Sequence, residues 1–116
     1  MSYNVTRAKA LKIDAKIRLS DLLLLAKETI PENSFVNVYK KRKPDAEGFI
    51  RLDGLQWTGE WSGHSLGVYE RALALLVGTA EIVLIWEGGE CFSGYRVDNG
   101  VVTRCEVELA LGQVTT

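Results

Sequence analysis

Histidine and cysteine are scarce in this sequence, which holds one of the first and two of the second in 116 residues. Two thiols fourteen positions apart, Cys91 and Cys105, and a single imidazole do not make the four-ligand set of a structural zinc site. A Ser–His pairing has only His64, with Ser62 or Ser65 beside it, and neighbours that close in sequence are not given those roles by spacing. A Cys–His pairing needs Cys91 or Cys105 to meet His64 across the fold, and both cysteines read more simply as inward-facing strand residues. The fixed glycine patterns that cradle a dinucleotide or a triphosphate are missing as well. Glu87-Gly88-Gly89-Glu90 brings two acids to a glycine turn, but calcium loops offer more oxygen ligands, and a β-turn accounts for it. No metal, cofactor or catalytic residue is assigned on this basis.

Proline is also rare, at 2 residues, and 11 glycines leave no low-complexity stretch, so one domain over residues 1–116 is expected. The longest apolar run, Leu22-Leu23-Leu24-Leu25-Ala26, falls far short of the roughly 20 residues that span a bilayer. Met1-Ser2-Tyr3-Asn4-Val5-Thr6-Arg7 does not lead into an apolar stretch with a small-residue cleavage site. These features predict a soluble protein without a membrane association, and two free thiols suit a reducing cytoplasm.

Charge is nearly balanced, at a net −1, but unevenly placed. Residues 1–43 hold ten Lys and Arg against four Asp and Glu, and the remainder four against eleven. Such asymmetry steers charged partners wherever folding leaves it intact.

What is present is a set of short periodic segments. Leu11, Ile13, Ala15, Ile17 and Leu19 alternate with Lys12, Asp14, Lys16 and Arg18, the period of a half-buried strand. Ser20 and Asp21 offer a cap and a first-turn acid for a short buried helix to about Thr29. Phe35, Val36, Val38 and Tyr39 suggest a second strand, joined by a basic hairpin tip to a third over Phe49 to Leu52. Leu55, Trp57, Gly59 and Trp61 alternate as a fourth. Ser65 then caps a helix from Leu66 to Val77 that Gly78 ends. A three-stranded meander follows: Glu81 to Glu87, Phe92 to Val97, and Val101 to Leu109. Ile82-Val83-Leu84-Ile85-Trp86, apolar on both faces, is expected to be a central strand of the sheet.

Asp98-Asn99-Gly100 reads as a three-residue hairpin loop that sets Val97 opposite Val101 and the two cysteines diagonally, too far apart for a disulfide. The tail Gln113-Val114-Thr115-Thr116 is expected to fray. The order βαββ-βαβββ predicts an α+β two-layer sandwich, with two helices on one face of a mostly antiparallel sheet. Its two halves, offset by about 44 to 46 residues, also admit an internal duplication.

Three functional readings remain. The leading one is a non-enzymatic binding or regulatory domain that works by protein–protein contact or self-association. Its contact residues are Trp57, Trp61 and His64, provided the aromatic strand face is only partly covered, with Lys40, Lys41, Arg42 and Lys43 for steering. A core role for the tryptophans is the competing explanation. The second reading is a nucleic-acid or phosphate-binding module using that basic run and the helix start at Gly63, His64 and Ser65 as an anion site. The third is a small hydrolase or transferase using His64.

Overall fold

The alternation along the first strand extends further than the sequence pattern suggests, and it changes phase on the way. In the computed structural model, β1 runs over Val5–Arg18. The structure describes the backbone of residues 5–28, 30, 32–58, 63–86, 91–108 and 113–115, and the side chains of 7–28, 30, 32–57, 66–85 and 93–105. Against β4 (Val77–Trp86), Ala10 pairs with Ile82 and Lys12 with Glu81, so Leu11 is an extra residue in a β-bulge. Before the bulge Ala8 and Ala10 face the core. After it Ile13, Ala15 and Ile17 do. Leu11, expected on the core side, is instead 41% exposed.

The chain passes from β1 directly into α1 (Leu19–Leu25), and the Leu19 amide donates to the Gly48 carbonyl at 3.0 Å. Ser20 therefore lies inside the helix, and Arg18 stands at its N-cap without a side-chain capping bond. The helix stops at Leu25, before the expected Thr29.

The segment expected to be a second strand is a short helix, α2 (Phe35–Tyr39). The Ser34 hydroxyl caps it by accepting from the Asn37 amide at 3.3 Å, while the Phe35 amide donates to the Gln56 carbonyl at 2.8 Å. Phe35, Val36 and Tyr39 are buried on one side, which is helical spacing (i, i+1, i+4); the β-branched valines had suggested a strand. The basic run is consequently not a hairpin tip, and the repeated βαββ pattern behind the duplication reading disappears.

β2 (Phe49–Leu52) and β3 (Trp57–Thr58) both pair with β1, and α3 (Gly63–Leu73) follows. The alternating strand expected over residues 55–61 is thus two residues long within the described chain. The remaining strands are β5 (Cys91–Asp98), β6 (Val101–Glu108) and β7 (Gln113–Thr115). Among the described residues all seven strands form one antiparallel sheet, in the order β2-β1-β4-β5-β6-β7, with β3 also on β1. The tail expected to fray is β7, paired with β6 through Val107 and Val114.

The Asn-Gly turn is tighter than expected. Asp98 pairs with Val101, and the loop is Asn99 (φ 45°) and Gly100 (φ 84°) alone. This shift sets Cys105 opposite Gly94 instead of Ser93, where it is a buried free thiol. The Cys91 side chain lies outside the described residues.

The fold is an α+β sandwich with its helices on one face of the sheet. Ile17, Ile50, Leu52, Ile82, Leu84, Tyr95 and Val97 meet Leu22, Phe35, Val36, Val68, Tyr69 and Leu73 in one core. β4 is buried on both faces, as its composition predicts: Val83 is 3% exposed on the side away from the helices.

Candidate functional site

The condition set on the aromatic strand is not met at Trp57, whose side chain is completely buried. Its ring stands edge-on to Tyr69 at 5.3 Å and tilted to Phe35 at 6.5 Å, so it is a core residue with no surface to offer a partner. Alternation drives this: Trp57 pairs with Ala8 of β1, on the helix side of the sheet. Trp61 and the side chains of His64 and Ser65 lie outside the described residues. The backbone of α3 begins at Gly63, two residues before the expected cap, so Ser65 sits within the first turn.

Lys40 is the C-cap of α2, and Lys41, Arg42 and Lys43 are exposed on the connection to β2. The Arg42 guanidinium lies over the Tyr39 ring at 4.4 Å. Tyr39 in turn donates to the Asp53 carboxylate, and the Asp53 amide returns a bond to the Tyr39 hydroxyl at 3.2 Å. The connection closes on Asp45, whose carboxylate accepts from the amides of Phe49 at 3.0 Å and Glu47 at 2.9 Å. Those amides, Phe49 first, hold its pKa below the usual carboxylate value. The basic run is thereby displayed on a structured loop.

The helix layer carries a feature that sequence reasoning missed. Consecutive helical residues are about 100° apart, so four successive leucines cannot all face one core. Leu22 and Leu25 are buried; Leu23 and Leu24 are 49% and 62% exposed. The expectation that α1 is wholly buried is corrected by this periodicity, which was the available signal. Leu24 and Leu25, with Ala74 and Leu75 after α3, line a groove of about 520 Å³. Leu75 is 38% exposed.

Asp21, Glu28 and Arg71 edge the groove. Arg71 bonds Glu28 at 2.8 Å across it, tying the turn after α1 to α3. Asp21 has no ion partner among the described residues. Val77, 42% exposed, pairs with Lys16, and Val101, 67% exposed, pairs with Asp98, so both belong to the sheet face away from the helices and not to the groove.

Elsewhere in the helix layer, Glu70 bonds Arg104 at 3.2 Å, and the Arg104 guanidinium lies over Tyr95 at 6.0 Å. Burial raises the pKa of Tyr95, with Glu70 adding to it. The Arg104 pKa is raised, by Tyr95 first and then by Glu70. These groups hold α3 to the sheet and sit away from the groove's lining. Among the described residues no group of three or more His, Cys, Asp and Glu side chains is placed to hold a metal ion, and no helix is long and apolar enough to cross a membrane. Compared with protein-family models, with curated proteins and with solved structures, the chain matches none.

Proposed function

We propose that this protein is a binding domain that docks an apolar segment of a protein partner on the groove between α1 and the end of α3. The observation that carries the reading is the pair of solvent-facing leucines beside an apolar groove: Leu24, 62% exposed, and Leu75, 38% exposed, over a volume of about 520 Å³. An exposed apolar groove rimmed by charge is a surface on which an apolar side chain of a partner can be buried. Covering the exposed part of Leu24 alone contributes about 1–2 kcal/mol. The carboxylate of Asp21, without an ion partner among the described residues, favours a partner that sets a lysine or arginine beside its apolar side chains. An amphipathic helix satisfies both needs, as its apolar positions recur on one face next to charged ones.

A phage-displayed peptide selection against the full chain, counter-screened with Leu24→Asp, tests this. Enriched peptides are expected to carry apolar residues at i, i+3 or i+4 with a neighbouring cation, and to bind the variant at least 10-fold more weakly. Peptides that bind Leu24→Asp and Leu75→Asp as tightly as the wild type place the contact elsewhere and overturn the proposal. Sedimentation velocity of the two proteins identifies the self-associating case: a dimer lost in Leu24→Asp makes a second copy the partner.

A further inference from the structure

The face of the sheet away from the helices holds a second surface, unconnected to the groove reading. The bulge at Leu11 is what builds it. Arg7 and Lys9 occupy odd positions, whereas Lys12, Lys16 and Arg18 occupy even ones, so an unbroken strand would send the two groups to opposite faces. One extra residue between Ala10 and Lys12 brings all five onto the helix-free face. At about 3.3 Å per residue, the row from Arg7 to Arg18 is about 36 Å long.

Neighbouring strands add Arg51, paired with Lys16, and Arg96, opposite Glu81. The acids on this face are largely engaged: Asp14 bonds Arg51 at 2.6 Å, and Glu81 lies 3.7 Å from Arg96. Asp98, at the hairpin end, accepts from the Asn99 side chain at 3.3 Å. Among the described residues, none of Arg7, Lys9, Lys12, Lys16 or Arg18 has an ion-pair partner. Lys16 and Arg18 are moreover held over the same Phe49 ring, at 4.4 and 4.6 Å. The ring attracts each cation but brings like charges together, and an anion bridging them relieves that repulsion.

We infer that this face binds the phosphate backbone of a single-stranded nucleic acid, without base readout. A row of cations along one strand matches one linear polyanion. A duplex is read by an element that enters a groove, which a row of side chains along one strand does not supply. The Arg18 guanidinium on Phe49 adds a flat cation on which a base can stack.

The test is fluorescence anisotropy of a labelled 12-nucleotide oligothymidylate with the full chain at 50 and 200 mM salt. Neutralising about five phosphates on a single strand gives a log–log salt slope near −3.5, hence a loss of affinity of about 100-fold between those conditions. Lys12→Ala with Lys16→Ala is expected to reduce the slope by about 1.4, while Lys41→Ala with Lys43→Ala leaves it unchanged. Circular dichroism confirms that the exposed-site variants are folded. No binding at 50 mM salt, an unchanged slope in Lys12→Ala/Lys16→Ala, or tighter binding to a duplex or to phosphatidylserine vesicles each overturns the inference.

Discussion

Replacing Trp57 with alanine separates a core tryptophan from a contact tryptophan in one experiment. The side chain is 0% exposed, packed edge-on to Tyr69 at 5.3 Å and against Phe35 at 6.5 Å. Truncating such a group costs about 3–5 kcal/mol, because the transfer energy is lost and the cavity closes only in part. A domain with about 5–15 kcal/mol of stability survives that narrowly. At this chain length about 1 kcal/mol corresponds to about 4 °C, so the midpoint of a far-ultraviolet circular dichroism melt should fall by about 12–20 °C. Leu24→Ala is the control: at 62% exposed it should move the midpoint by no more than about 2 °C. A Trp57→Ala protein that melts cooperatively within about 2 °C of the wild type refutes the packing argument and returns the indole to the surface.

Glycine substitutions test the backbone in the same melts. Gly78 (φ +113°) would place a Cβ 2.1 Å from the Asp14 carbonyl, so Gly78→Ala should cost about 3 kcal/mol or more; Gly48 (φ +86°) faces open space and should cost about 1 kcal/mol. Gly67, inside α3 with nothing within 4 Å, should gain up to about 1 kcal/mol as alanine. Equal losses at all three positions contradict these assignments. Burial raises the Tyr69 pKa well above its usual value, and its hydroxyl donates to the Leu55 carbonyl at 2.9 Å. The unfolded chain therefore releases that proton first: the contribution is complete below pH about 10 and is lost as pH rises, at up to about 1.4 kcal/mol per pH unit. Urea titrations should show Tyr69→Phe with a shallower alkaline slope, and an unaltered slope refutes the assignment. Deleting Leu11 removes the bulge and leaves both halves of β1 in phase, so the variant should fold, whereas deleting Ala15 turns Ile17 out of the core. Equal damage from the two deletions argues against the bulge reading.

Much of the fold was legible because its signals are local. Phe49–Leu52 follows from a short apolar run after a turn-rich connection, the Asn99-Gly100 turn from a residue pair that tolerates positive φ, and the run over 82–86 marks a strand buried on both faces. The misreadings have non-local or phase-dependent causes. The α2 helix depends on Ser34 as a cap and on the Gln56 carbonyl, which lies beyond the segment itself. β7 exists through its pairing with β6, which nothing within Gln113–Thr115 announces. The groove was recoverable from the sequence, since the helical period forces two of four successive leucines outward, but reading the run as a single buried block concealed it.

The basic face shows how a functional surface escapes a reading that assumes unbroken alternation. Taken with a fixed period of two, Arg7 and Lys9 share the side of Ile13, Ala15 and Ile17, and the strand looks amphipathic only from Leu11 onwards. The structure instead puts Ala8 and Ala10 on the core side, and the small side chain of Ala8 meets Trp57 where β3 joins β1. Burying that indole therefore requires the early half of β1 to present even positions inward, while Ala15 and Ile17 require odd positions inward in the late half. One inserted residue reconciles the two packing demands. The same insertion aligns the cations, so the row on the open face follows from how the core is filled, and changes that keep the core phase should keep the charge row with it.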